Sequence, residues 1–146
     1  MNATQKIFSH VFANVYALML KTQGYHWHVK GPHFKTLHLM FEEQYNTLFL
    51  HVDLIAERML AMGFTVPASL QELNTLKTLG DANLQLSAHE MLVNLAGDYV
   101  KLTQDIDDLL KDAQEHHDEA SQSMFSDMMV EYEKILWMIK ASSGEL

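Results

Sequence analysis

The chain contains no cysteine and only two prolines among its 146 residues. Without cysteine it has neither disulfides nor thiolate metal ligands, and a cysteine-free acidic chain suits a reducing cytoplasm. The apolar run VFANVYALML at positions 11–20 is too short to span a bilayer and is not followed by a small-residue cleavage site. We therefore expect one cytoplasmic domain, residues 1–146, with its own core and no membrane span.

Basic residues are also scarce. Lysine and arginine together number 10 against 19 aspartates and glutamates, which gives a net charge of −9. Binding to nucleic acid depends on clustered positive charge that neutralises phosphates, and the first residues, MNATQK, hold a single lysine. We therefore expect cations rather than polyanions as partners, with weak or absent DNA binding.

Apolar residues recur at helical spacing between the breaks at Pro32 and Pro67 and beyond them. This spacing predicts an all-α chain with four long helices and one short one. N-caps are expected at Thr4, Ser69, Ser87 and Asp118, and glycine stops at Gly63 and Gly144. The predicted helices span about 4–29, 33–62, 70–78, 88–114 and the stretch between Asp118 and Gly144.

The lengths of the connections predict how these helices are arranged. Short loops join helices one to two and three to four, counting only the long helices. Roughly 25 residues, which include the short helix and a turn expected at Gly80–Asp81, separate helices two and three. One long crossover of this kind is typical of a four-helix bundle with the ferritin-like connection.

Two pairs of candidate metal ligands lie in the second predicted helix. His38 and Glu42 are four residues apart, as are Asp53 and Glu57, so each pair lies one turn apart on a single helix face. At about 100° per residue all four fall within an arc of roughly 100°. Glu42 and Asp53 are nevertheless about 16 Å apart along the axis, so the two pairs of one chain cannot share an ion.

A twofold axis would bring the pairs together. Positions 38 and 57 are centred between residues 47 and 48, and so are positions 42 and 53. If two copies of this helix lie antiparallel, His38 and Glu42 of one copy face Glu57 and Asp53 of the other, which gives two equivalent sites. His26 lies on the buried face of helix one. Imidazoles with carboxylates favour iron(II), manganese(II) or zinc.

Other interpretations of these residues remain open. His-x-x-x-Glu and Asp-x-x-x-Glu pairs also occur on solvated helix faces, where they form surface ion networks with residues such as Arg58. A buried His26 bonded to a carbonyl would be structural. His28, His33, His116 and His117 have no assigned role, and His10, His51 and His89 are interpreted as structural or surface residues.

Two segments, HWHVKGPHFKTLHLMFE and DLIAERMLAMG, resemble the Dps family of mini-ferritins, as does LWMIKA at 136–141. The resemblance covers nearly the whole chain. It implies a dodecameric shell built from twofold dimers, in which ferroxidase sites at the dimer interfaces oxidise iron(II), preferentially with hydrogen peroxide. The ferric product would be stored inside, which would protect the cell against oxidative stress.

The resemblance also implies roles for individual residues. His26, His38 and Glu42 would come from one subunit, and Asp53 and Glu57 from its partner. Trp27 would lie beside the site, where it would intercept radicals or pack at the interface, and Arg58 would form an intersubunit ion pair. Acidic residues near the start of the last helix would line an iron-entry pore; they are Asp118, Glu119 and Asp127.

The sequence departs from the family at Glu42, where aspartate is usual. The extra methylene changes a metal ligand, so a shell that binds a metal such as zinc without efficient redox turnover is one alternative. A DNA-compacting module is another. The net charge opposes it, as does the absence of the lysine-rich terminal extensions that family members generally use to bind DNA.

Overall fold

The computed structural model describes residues 1–144, which form five helices joined by short loops and one long crossover. The helices are α1 (Ala3–His28), α2 (Phe34–Ala61), α3 (Leu70–Leu76), α4 (Ala88–Glu115) and α5 (Glu119–Ser143). The order, number and type of the predicted elements are confirmed. Among the described residues, no helix is both long and apolar enough to cross a membrane.

Most of the expected helix caps are present. Ser87 and Glu90 form a reciprocal capping box at α4, Asp118 accepts from the Ser121 backbone N–H, and Gly144 ends α5 with φ 79°. The expected cap at Thr4 is wrong. α1 begins one residue before it, and the side chain of Asn2 accepts from the Gln5 backbone N–H at 2.7 Å. Asparagine is a strong N-cap, so it starts the helix earlier.

The four long helices form two hairpins. α1 packs against α2 and α4 against α5, and the hairpins meet mainly through α1 and α4. A buried ion pair, Lys21 Nζ to Asp98 Oδ2 at 2.8 Å, joins those two helices. This is the ferritin-like four-helix bundle that the connection lengths predicted, with α3 lying on α1 in the crossover.

All four long helices contribute to one apolar core. α2 buries Leu37, Phe41, Leu48, Ile55 and Met59. Phe34, the first residue of α2, is 41% exposed and lies outside this core.

The crossover is held to the bundle by side chains of α1. Asn14 Oδ1 accepts from the backbone N–H groups of Thr78 and Leu79 at 2.8 and 3.2 Å. The turn expected at Gly80–Asp81 lies instead at Asn83–Leu86, where the Leu86 N–H donates to the Asn83 carbonyl at 3.3 Å. Anchoring of the preceding segment fixes where the chain turns back toward α4.

Candidate metal centre

His26 and His38 bond to each other's backbone. His26 Nδ1 lies 2.7 Å from the His38 carbonyl oxygen, and His38 Nδ1 lies 2.7 Å from the His26 carbonyl oxygen. Because a carbonyl only accepts, each Nδ1 carries the proton and donates it. In a neutral ring this leaves Nε2 as a bare lone pair. Histidines that ligate metals are held in this way, with the second ring nitrogen donating to a fixed acceptor.

The two imidazole rings are stacked. Their centroids are 3.8 Å apart and their planes differ by 13°. His26 is 6% exposed at the end of α1, and His38 is half-buried in the second turn of α2. The carbonyl bond that a structural His26 would make is therefore present, but it uses Nδ1 and leaves Nε2 available to a metal.

The three carboxylates lie on the same unbroken helix as His38. α2 runs from Phe34 to Ala61 without interruption, so the spacing argument applies along its whole length. Glu42 is half-buried, whereas Asp53 and Glu57 are exposed. Within residues 1–144, no group of three or more histidine, aspartate or glutamate side chains is placed to hold a metal ion.

Exposed apolar side chains surround the centre of the palindrome on α2. Phe49 and Leu50 are 62% and 64% exposed, and Leu39 and Leu54 are also exposed. At about 100° per residue these four lie on or beside the arc of the carboxylates. Apolar surface of this kind, bordered by polar groups, is typical of a protein–protein contact.

Trp27 lines a groove to which neither His26 nor His38 contributes. It is 58% exposed and lines a mainly apolar groove of about 550 Å³ between α1, α3 and the crossover. Leu20, Leu73 and Leu84 also line this groove. The tryptophan is therefore adjacent to His26 in sequence but directed toward a different surface.

Arg58 already has partners in its own chain. Its Nη2 donates to Asp118 Oδ1 at 2.7 Å, and its Nε donates to Ser121 Oγ at 2.8 Å. The intersubunit ion pair that the resemblance implies for Arg58 stays a prediction, and within one chain the guanidinium is already paired with Asp118.

Asp118 is used both as a cap and as this ion-pair partner. Burial opposes its ionisation, but hydrogen bonds from Ser121 and the Arg58 guanidinium outweigh burial and lower the pKa of Asp118. Of the three pore candidates, Asp118 is thus tied to the α2–α5 contact, whereas Glu119 and Asp127 are exposed.

Sequence reasoning missed the aromatic rings around the histidines. Phe34 stacks on His38 with centroids 5.0 Å apart, and Tyr45 meets His26 edge-on at 5.2 Å. The first contact was detectable, because Phe34 precedes His38 by one turn of the same helix. The second joins α2 to α1, and no local pattern shows it.

Another histidine of α2, His51, is half-buried and contacts α5. His51 Nδ1 is 2.6 Å from the hydroxyl of the buried Tyr132 on α5. Burial lowers the pKa of His51, although the nearby Glu131 opposes this shift. His51 is accordingly a structural residue, as the sequence analysis expected.

Comparison with known proteins shows the family to which this chain belongs. A family model described as ferritin-like domain matches residues 5–146. The DNA protection during starvation protein of Brevibacillus brevis is 36% identical over 133 residues, which cover 88% of this chain and 87% of the relative. DNA protection during starvation protein 2 of Bacillus anthracis is 34% identical over 124 residues, 85% of either chain.

Solved structures show the same relationship. The crystal structure of Dps from Staphylococcus aureus superposes with a TM-score of 0.92 at 31% identity and covers 96% of this chain and 94% of its own. The Dps protein of Vibrio cholerae O1, described as a member of the ferritin-like diiron-carboxylate superfamily, gives 0.91 at 28% identity and covers 94% and 87%. This chain therefore belongs to the ferritin-like family and, within it, to the Dps proteins.

Proposed function

We propose that this protein oxidises iron(II), preferentially with hydrogen peroxide, and stores the ferric product inside a dodecameric shell. Membership of the Dps family supports an iron-storage and protective role. The description of the Vibrio cholerae relative as a diiron-carboxylate protein supports iron as the metal. The protein would limit oxidative damage by removing both reactants that generate hydroxyl radicals.

The proposed site takes His26, His38 and Glu42 from one subunit and Asp53 and Glu57 from its partner. The observation that carries the proposal is the reciprocal bonding of His26 and His38, because it places the proton of each ring on Nδ1 and leaves Nε2 free. Three carboxylates together with two imidazoles suit iron(II), which accepts mixed nitrogen and oxygen ligands.

The exposed apolar residues on α2 support the twofold arrangement. Phe49, Leu50 and Leu54 would be buried if α2 packed antiparallel against its copy. The same packing would bring Asp53 and Glu57 of one subunit to His38 and Glu42 of the other. Each dimer would then hold two equivalent sites.

Iron(II) and peroxide together account for all the electrons transferred in the reaction. Each iron(II) substrate ion gives up one electron, and one peroxide molecule takes two electrons as its O–O bond breaks. The oxygen atoms leave as water or as hydroxide and oxide of the ferric product, and the protons released on hydrolysis of ferric iron pass to solvent. The protein's part is to hold iron where its electrons reach peroxide, and to retain the product.

The first test is oxidation by a His38→Ala variant. The metal-free protein is loaded with iron(II) under anaerobic conditions, peroxide is added, and ferric absorbance is followed together with iron retained in the shell-sized fraction. We expect His38→Ala to oxidise iron at least about tenfold more slowly than the wild type while the shell still assembles.

Glu43→Ala is the matched control, because Glu43 is an exposed carboxylate beside Glu42 that lies outside the palindrome. It should oxidise iron at the wild-type rate. Unchanged oxidation in His38→Ala would reject the site. Tight metal binding by the wild type with oxidation at the background rate would favour a metal-binding shell without redox turnover.

A further inference from the structure

Four rings contact one another in a row across the candidate site, in the order Phe34, His38, His26, Tyr45. The successive centroid distances are 5.0, 3.8 and 5.2 Å. The first two contacts are stacked, with interplanar angles of 27° and 13°, and the last is edge-on at 69°. Each histidine therefore contacts one aromatic ring in addition to the other histidine.

Packing of the core does not explain the position of Phe34. Its side chain is 41% exposed and lies outside the buried stripe of α2. His33, the N-cap of that helix, makes no side-chain cap hydrogen bond to the described residues. The first turn of α2 thus places a large apolar ring on the surface, with one face against His38.

A single hydrogen bond does not fix an imidazole. The torsion that turns a histidine ring about its Cβ–Cγ bond is broad, so a ring held only at Nδ1 swings about that contact. The stacked rings of Phe34 and His26 restrict this swing for His38, and the stacked His38 with the edge-on Tyr45 restricts it for His26. The direction of each Nε2 is then set before a metal arrives, which lowers the cost of binding.

We propose that Phe34 and Tyr45 are positioning residues that hold the imidazoles of His38 and His26 ready for the metal. This role rests on the proposed function, since it concerns the same site. The aromatic rings alone provide this positioning. The phenol hydroxyl of Tyr45 is therefore not required, and a tyrosine in place of Phe34 would position His38 equally well.

Binding of Co²⁺ to the metal-free protein tests this role without redox chemistry. The visible absorption of Co²⁺ reports its ligand geometry, so both affinity and spectrum are measured. Phe34→Leu and Tyr45→Leu remove a ring and should weaken binding about tenfold, with a changed spectrum. Phe34→Tyr and Tyr45→Phe keep the rings and should match the wild type in both respects.

Thermal unfolding of each metal-free variant and size-exclusion chromatography accompany the titrations. A loss of affinity in shells that assemble and melt as the wild type does would support positioning. Wild-type affinity and spectrum in both leucine variants would overturn it, and so would equal losses in the ring-keeping variants. If the wild type itself binds no Co²⁺, the proposed metal site fails and the positioning role fails with it.

Discussion

The surroundings of His10 favour the positively charged form of its side chain. Its Nε2 lies 3.2 Å from Asp105 Oδ1 on α4, and its Nδ1 lies 3.1 Å from the Leu76 carbonyl at the end of α3. The Asp105 carboxylate and the Leu76 carbonyl are both acceptors, and only the imidazolium donates from both nitrogens. Asn14 Nδ2 also lies 3.3 Å from His10 Nε2, but it has its own acceptors in Asp105 Oδ2 at 2.8 Å and Thr78 Oγ1 at 3.1 Å. The hydrogen bond to Asp105 raises the pKa of His10, burial opposes this, and the charge of Asp105 adds to the rise.

A raised pKa in the folded state makes stability depend on pH. The stabilisation by His10 is complete below its unfolded pKa of about 6.5 and is lost as the pH rises through the higher folded value. We expect the difference in unfolding free energy between the wild type and His10→Gln to be larger near about pH 6 than near about pH 9. Urea unfolding at the two pH values measures it.

Asp105→Asn provides the matched comparison for His10. It removes the charge but keeps the shape of the side chain, so it should reduce the pH dependence as His10→Gln does. Because both substitutions remove the same interaction between His10 and Asp105, the double variant should show little further change in stability. Additive effects of the two substitutions would show that His10 and Asp105 act separately.

The ends of α4 and α5 were predictable because capping is local. Ser87, Asp118 and Gly144 each act within three residues of their own position. Thr4 failed because Asn2, two residues earlier, competes for the same helix terminus and satisfies the Gln5 N–H. The local sequence predicted an N-cap near the start of α1 but did not show which of the two nearby capping residues, Asn2 or Thr4, would take that position.

The capping box of α4 should contribute measurably to stability. Ser87→Ala removes the acceptor for the Glu90 N–H and should lower the free energy of unfolding by about 1 kcal/mol. Ser69→Ala is the control, because Ser69 caps the seven-residue α3, whose side chains are all half-buried or exposed. Its loss should be smaller, since α3 can fray without opening the bundle. Equal losses in urea unfolding would contradict this account.

Shells that contain two different variants test whether the ligands of one site come from two subunits. Shells are formed from equal amounts of His38→Ala and Asp53→Ala subunits, each of which is expected to oxidise iron slowly on its own. If ligands come from two subunits, half of the random dimers contain both variants and one of their two sites is intact. We therefore expect about a quarter of the wild-type oxidation rate. A site built within one chain would give only the background rate.

A second mixture controls for dilution. When the His38→Ala/Asp53→Ala double variant is mixed equally with the wild type, only wild-type pairs keep intact sites, so the shared site again gives about a quarter of the rate. A site within one chain would give about half. Ferric absorbance after peroxide addition measures both mixtures, and the pair of values separates the two arrangements.

The sequence alone predicted the helices, the long crossover and the spacing of the candidate ligands along α2. Helical periodicity, capping and the breaks at Gly31–Pro32 and Gly63 depend on neighbouring residues, so they can be read along one chain. The palindrome about the centre of α2 is likewise a property of one regular helix. The intersubunit sharing that it predicts stays a prediction.

Contacts between helices depended on how the bundle packs. The reciprocal bonds of His26 and His38, the edge-on Tyr45 and the pairing of Arg58 with Asp118 join residues on different helices. Side-chain direction across an interhelical contact depends on rotation and offset of both helices, which sequence spacing does not specify. The sequence alone therefore determined the positions of the candidate ligands along the chain, whereas tertiary packing decided how the histidine rings are oriented and which side chains surround them.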